Sequence, residues 1–534
     1  MKTFEDLPCE CLQEIFLHLE DEYSTLYKCM FVNRFWCWLV VPILWRSPFQ
    51  PINNSRLNSF QRIGKRASSN SHSLCRTYIA SLDEVEKEII HPYDSRHNLP
   101  KPLFQYSLYL EKLSFTDIAT IIVESWIRHG EQIEIPRDEC VDRLGRIMTA
   151  ILRLILRTSR LREAKISNCF ISYDSLGGIP FSYDILGGVS FSSYQPGFSQ
   201  LRNLAISVSL LHPIPNLTEL LRNLSKLCTN LQELEYEIDD YPDSAIIGSL
   251  INIITVQSNL KKFSLDICDS YTNGTGRFIT ALSSQKESLN SLSLLNINFS
   301  NINLNRIAGC TKLETIGMHN CYGTTKGTCE MFLQSPVQLK SLTLDGNDFI
   351  DDIFLPALIE KAGKTLLDLR TDEISEKTLT SLTKFCPNLA KFTLLYYEQD
   401  CDIFLDYLKE SKIRQFAIES SDYHYSSDLL RILGEFLPSN LEKMYFNCEF
   451  SIESFEKFLV DYNDSSSKSL TTLYIKDISG LALSYLRAIE SYAVCNPLKN
   501  VVIEPMMEDA LDELSDFVQS IGKKGINVSF ARVL

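Results

Sequence analysis

Histidine is scarce here, with 8 in 534 residues, and the 16 cysteines include no Cys-x-x-Cys pair. The nearest approach is Cys9-x-Cys11. Zinc sites need clustered Cys and His ligands, so no metal site is expected. Lysine plus arginine amount to 52 against 67 aspartates and glutamates, a formal net charge of −15. A chain this acidic lacks the cationic surface that holds phosphate backbones, which excludes general nucleic-acid binding. No apolar run reaches the ~18 residues of a membrane span. The opening MKTFEDLPCECL carries acid early and has no apolar stretch, so no secretory leader is expected. The cysteines therefore read as buried free thiols in a reducing compartment, cytoplasm or nucleus. Phosphate-loop glycines are missing too: Gly64-Lys65 lacks the earlier glycine, and Gly274-Thr-Gly276 lacks the lysine. There is no Gly-x-Ser-x-Gly elbow. Nothing singles out a thiol nucleophile with a flanking base. The chain is expected to be non-catalytic, with no cofactor.

What is present is ordinary globular composition, 45% hydrophobic and 22% charged, organised by a repeated phrase. The phrase is apolar-x-x-apolar-x-apolar. It occurs at Leu231-Gln-Glu-Leu234-Glu-Tyr236, Leu260-Lys-Lys-Phe263-Ser-Leu265, Leu289-Asn-Ser-Leu292-Ser-Leu294 and Leu339-Lys-Ser-Leu342-Thr-Leu344. Counting weaker copies, starts fall at 161, 201, 231, 260, 289, 313, 339, 366, 389, 413, 441, 470 and 498. After the first gap of 40, spacings stay between 23 and 30. One copy arises by chance in any amphipathic helix; thirteen at near-constant spacing do not. Within the phrase the period is two, which makes a short half-buried strand. The remainder of most units has helical periodicity, as in Phe354–Ala362.

This pattern resembles the leucine-rich repeat, from about Leu161 onward. The resemblance implies an α/β solenoid, with one short parallel strand and one helix per repeat. It also implies a polar ladder three residues after the third apolar position, here Cys169, Cys268, Cys321 and Asn347. Other units place Asp239, Ile297, Tyr397, Ser421, Glu449 and Ile478 there, so the ladder is partial. The long first gap holds a duplication, Ser172–Gly178 and Ser182–Gly188, that reads as an insertion in a surface connection.

In each phrase the residues between and just after the apolar positions share the other strand face. They are Glu235, Glu237, Asp266, His319, Asp345, Glu419, Tyr445, Asn447, Tyr474 and Lys476. This acid-biased row on a strand-lined inner surface is the expected docking site for a protein target, with Tyr445 and Tyr474 as neighbouring anchors. Residues 398–464 strengthen the bias, with 15 acids against 6 bases.

Residues 5–46 differ. Leu7-Pro8 opens a helix over Cys11, Leu12, Ile15, Phe16 and Leu19. Two more apolar patterns follow, at Leu26, Cys29, Met30 and Val32, and at Trp36, Leu39, Val40 and Leu44. Three short helices cannot hide this many apolar residues, so a partner is expected. The order Leu7-Pro8, Glu10, Leu12, Ile15-Phe16, Leu19, Val32-Asn33-Arg34-Phe35-Trp36 and Leu44-Trp45 resembles the F-box. Only the first interhelical loop departs, by about two extra residues. The resemblance implies docking onto a Skp-family adaptor through Leu7, Pro8, Ile15, Leu26, Val32 and Trp36, and through the adaptor onto a cullin ubiquitin ligase.

The organisation expected is an F-box at 1–50, a linker and helical region at 51–160 that caps the solenoid, and the repeats at 161–534. Within 51–160, helices are expected at Leu74–Ile90, Ile118–Ile127 and Val141–Leu161. Arg143, Arg146, Arg153, Arg157, Arg160 and Arg162 read as a solvated face. The function implied is the substrate-recognition subunit of an SCF-type E3 ubiquitin ligase that marks targets for proteasomal degradation. The alternative is a repeat scaffold without ligase output.

Overall fold

A computed structural model describes residues 7–20, 22–49, 67–90, 99–128, 137–167, 196–209, 217–239, 243–267, 272–300, 302, 305–323, 338–347, 354–372, 375–395, 401–420, 423–464, 469–476, 482–492, 498–504 and 518–530. The chain forms two compact units, Met1–Tyr271 and Thr272–Leu534.

The first unit starts with α1 (Cys9–Leu17), α2 (Tyr23–Cys29) and α3 (Arg34–Leu44). Four more helices follow, α4 (Ala67–Ala80), α5 (Glu84–Ile90), α6 (Phe115–Arg128) and α7 (Arg137–Thr158). The first helix expected after the opening module, at Leu74–Ile90, thus starts earlier, at residue 67, and Ser71 within it is wholly buried. The arginines of α7 are not uniformly solvated. Arg157 holds both Asp83 and the buried Glu86 at the start of α5, the latter at 3.1 Å. Strands β1 (Lys112–Ser114), β2 (Glu163–Ile166), β3 (Asn203–Ser209), β4 (Glu233–Asp239) and β5 (Lys262–Ile267) pair in sequence order, all parallel. The sheet therefore begins at Lys112, ahead of the expected start at 161. Its first strand carries the phrase too, as Leu110-x-x-Leu113-x-Phe115, and all three residues are buried.

The second unit continues the scheme with β6 (Ser291–Leu295), β7 (Thr315–His319), β8 (Ser341–Asp345), β9 (Asp368–Thr371) and β10 (Lys391–Leu394). Then come β11 (Gln415–Ser420), β12 (Lys443–Cys448), β13 (Thr472–Lys476), β14 (Asn500–Glu504) and β15 (Asn527–Phe530). Each pairs parallel with the next. Parallel neighbours need a crossover, and a helix supplies it in most repeats. The buried strand positions meet those helices: Phe392 and Phe416 stack with each other and flank Phe404, while Phe446 packs against Phe455 and Phe458.

Strand exits show why the repeat needs particular residues. Asn296, Asn320 and Gly346 follow β6, β7 and β8 and all adopt left-handed backbone, φ 57°, 51° and 61°. Asparagine and glycine tolerate that region best. One residue on, the polar ladder appears where expected at Asn347: its Oδ1 accepts from Cys321 N at 2.8 Å and its Nδ2 donates to Met318 O at 2.8 Å. Cys321 is fully buried and its Sγ lies 3.4 Å from the carbonyl oxygens of Leu294 and His319. Cys169, Cys268 and the duplicated segments at 172–178 and 182–188 lie outside the described residues.

Burial pushes the thiol pKa of Cys228 up to about 12, of Cys310 to about 11 and of Cys386 to about 12. Both access and ionisation then oppose thiolate chemistry. In the native protein at about pH 8, Cys9 and Cys11, which are exposed, are expected to take a thiol reagent first. Cys228, Cys310, Cys321, Cys386 and Cys448 should react only on denaturation. Prompt native labelling of those five, read by mass spectrometry, would contradict this placement.

Candidate functional site

The first three helices form a small core of their own. Pro8 O receives Cys11 N and Leu12 N at 3.1 and 3.2 Å, opening α1. Asn33 caps α3, accepting from Trp36 N at 2.8 Å. Leu12, Phe16, Leu26, Leu39, Val40 and Ile43 are buried together, with Trp36 half-covered beside them. Trp36 meets Phe16 edge-on at 5.0 Å between centroids. The expected adaptor-binding set therefore divides. Leu26 sits in the core, Trp36 packs half-covered against it, and both hold the helices in place. Leu7, Pro8, Ile15 and Val32 lie on the surface, Ile15 and Val32 at 40% and 58% exposure.

The surface also carries residues that the motif did not single out: Tyr27, Phe31, Phe35 and Trp38. Among the described residues, seven of the thirteen exposed large hydrophobics fall between Leu7 and Trp38. Such a density of bare apolar side chains marks an interaction surface. The signal in the sequence was their number. Which of them would face outward was set by helix packing.

The module is fastened to the repeats that follow it. In the sheet of the first unit, each strand start donates two backbone N–H groups to one carbonyl of the preceding strand. Glu111 O takes Arg162 N and Glu163 N, and Arg162 O takes Arg202 N and Asn203 N, at 2.8–3.0 Å. Arg46 O fills the same role for Glu111 N and Lys112 N, at 2.9 and 3.2 Å. Arg46, two residues past the end of α3, thus acts as a rung ahead of β1. Its guanidinium bridges Glu20 at 2.8 Å and Glu111 at 3.2 Å. Trp45 stacks on Tyr106 at 3.9 Å, and Phe49 packs against the buried Tyr78.

The row expected to dock a target lies on seven strands, always at positions alternating with the buried ones. In the first unit, Glu235 and Glu237 are exposed on β4, and Glu237 is in register with Asp266 on β5. In the second unit the acids are not free-standing. Arg370 on β9 reaches Asp345 on β8 at 3.4 Å and Glu419 on β11 at 2.7 Å. His319 Nδ1 lies 3.3 Å from Asp345, and Asn447 donates to Glu419 at 3.0 Å. Arg370 was missed because it lies in the degenerate copy that starts Leu366-Leu-Asp-Leu369, where Thr371 stands in place of the third apolar residue. Tyr445 and Tyr474 are in register on β12 and β13, and their rings stack 4.3 Å apart at 10°. Partial burial raises the Tyr445 pKa, and the neighbouring phenol of Tyr474 adds to the effect. Lys476 is exposed at the end of β13.

Among the described residues, no group of His, Cys, Asp and Glu could hold a metal ion. Nor is any described helix long and apolar enough to cross a membrane.

Residues 4–51 match the F-box-like family. No curated protein matches the chain. Among solved structures, an internalin from Listeria monocytogenes is similar at 16% identity and a TM-score of 0.27, over 62% of this chain and 80% of that one. The repeat architecture rests on the strand register of this chain itself.

Proposed function

We propose that this chain, an F-box-like module followed by leucine-rich repeats, is the substrate-recognition subunit of an SCF-type ubiquitin ligase. The observation that carries the reading is the bare apolar surface of Leu7, Ile15 and Val32 on a module that matches the F-box-like family. That surface would take a Skp-family adaptor, and through it a cullin. The repeats would take the target protein on their open strand face, including Glu235, Glu237, Asp266 and the Tyr445–Tyr474 pair. The chain itself would do no covalent chemistry. Its contribution would be effective concentration, holding target lysines where a ubiquitin-charged enzyme reaches them. The fastening of the module to the first unit through Arg46 and Trp45 supports this, because a stiff joint there narrows the volume in which a target held on that unit moves.

The test is reconstitution. The purified chain is mixed with a Skp-family adaptor, a cullin and its RING subunit, and the complex is sized by gel filtration. Co-elution and adaptor-dependent ubiquitylation of captured protein are expected. Co-elution without any ubiquitin transfer would favour a scaffold. Failure of the adaptor to bind would overturn the proposal.

A further inference from the structure

The open face of β12 and β13 carries charge of the opposite sign to the chain as a whole. Its outward positions are Lys443, Tyr445 and Asn447 on one strand and Tyr474 and Lys476 on the other, while Thr472, in register with Lys443, is buried. Among the described residues, neither Lys443 nor Lys476 enters an ion pair. Of the nearby acids, Asp345 and Glu419 share Arg370 and Asp368 is held by Lys391 at 3.2 Å, while Glu504 stands beside Lys476 on β14. The acid bias visible in the sequence is thus partly offset on this part of the face, and two cations stand beside an aromatic pair.

Their spacing is specific. Lys443 is in register with Thr472, four residues before Lys476 on the same strand. At about 3.3 Å per residue the two lysines lie about 13 Å apart along the strands, with the tyrosine row midway. An extended peptide running along the strands turns residues i, i+2 and i+4 toward one side, and i to i+4 also spans about 13 Å.

We propose that Lys443, Tyr445, Tyr474 and Lys476 form a docking site for an extended acidic peptide segment of the pattern acid-x-apolar-x-acid. The central apolar side chain lies on the stacked rings, and the two flanking carboxylates meet the lysines. The rings supply contact area at little entropic cost, and the lysines fix the register. Glu504 on β14 stands in register with Lys476; its charge weakens one end of the site. This inference deepens the reading of the repeats as the target-binding part, yet its test does not depend on the adaptor.

The probe is a fluorescein-labelled peptide with the core Glu-Ala-Phe-Ala-Glu between Gly-Ser flanks, titrated with the full chain and followed by anisotropy. Controls replace both glutamates by lysine, both by phosphoserine, or the phenylalanine by serine. The glutamate peptide should bind, and the lysine and serine peptides should bind at least tenfold more weakly. K443E with K476E should weaken binding roughly tenfold or more, and so should Y445A with Y474A. E504Q should tighten it about twofold to threefold, a gain that damage to the fold cannot imitate. Melting curves of each variant should match the parent. Equal binding of the acidic and basic peptides, or no response to the lysine reversals, would overturn the proposal. Binding of the phosphoserine peptide alone would overturn the carboxylate assignment. Adaptor capture measured on the same variants separates the two readings: peptide binding without adaptor capture removes the ligase role only, and the converse removes this site only.

Discussion

Aspartate at both Ile15 and Val32 is expected to reduce adaptor capture by at least about a hundredfold. Both side chains are well exposed in the free chain, so the charges are solvated there and the fold is undisturbed. On docking, each carboxylate would have to leave water for an apolar contact. Loss of a hot-spot contact plus that desolvation amounts to about 2 kcal/mol or more per residue. Two such losses exceed the roughly 2.7 kcal/mol that a hundredfold requires. Leu26→Ala provides the contrast. Leu26 is fully buried among Phe16, Leu39 and Val40, so its truncation should cost about 2–5 kcal/mol of module stability. It would weaken capture through unfolding, visible as a lower melting temperature. Deleting residues 1–46 is a poorer test, because Trp45 and Arg46 cover the end of the repeats. Full adaptor capture by the Ile15→Asp, Val32→Asp protein would remove this surface from consideration.

Gly434→Ala and Gly363→Ala should each destabilise the second unit by about 3 kcal/mol, far more than the size of a methyl group suggests. A Cβ on Gly434 would stand 2.6 Å from Phe458 O, 2.8 Å from Asp461 Cβ and 3.0 Å from Tyr462 N. One on Gly363 would stand 2.6 Å from the carbonyl oxygens of Ile359 and Phe385. These are mostly backbone atoms, which cannot swing away, so neighbouring repeats would have to separate. The two glycines lie in different repeats and share no neighbour, so their effects should add. Gly248 sits inside the helix Ser244–Thr255 with nothing within 4 Å of its would-be Cβ. Gly248→Ala should therefore stabilise by about 1 kcal/mol through helix propensity alone. Urea denaturation of the three variants reads both signs. Unchanged midpoints for Gly434→Ala and Gly363→Ala would show that the helices can move apart freely.

The strand positions were legible because a period of two at a fixed spacing leaves few alternatives. Leu231, Leu234 and Tyr236 are all buried, as the phrase requires, and so are Leu289, Leu292 and Leu294. The two strands the reading passed over fail for separate reasons. Leu110-x-x-Leu113-x-Phe115 has the phrase but stands 51 residues ahead of Leu161, outside the period. Strand β15 has only Ile526-Asn-Val-Ser-Phe530 and forms against β14, where pairing with a finished edge outweighs a weak local pattern.

The sequence by itself determined the architecture, since an F-box-like order of residues followed by thirteen phrases of one period admits a helical module and a strand–helix array. It also determined which strand positions turn outward, because alternation is a property of a single strand. Only the tertiary structure decided what those outward residues have for neighbours. Arg370, Asp345 and Glu419 are remote in sequence, and it is parallel pairing of successive strands that brings the guanidinium between the two carboxylates. The same pairing stacks Tyr445 on Tyr474 and leaves Lys443 and Lys476 on either side of them. Charge summed along the chain predicts an acidic face there. Charge summed across strands about 4.8 Å apart gives an ion-paired ladder beside an aromatic pair flanked by two lysines, because ion pairing depends on distance in space.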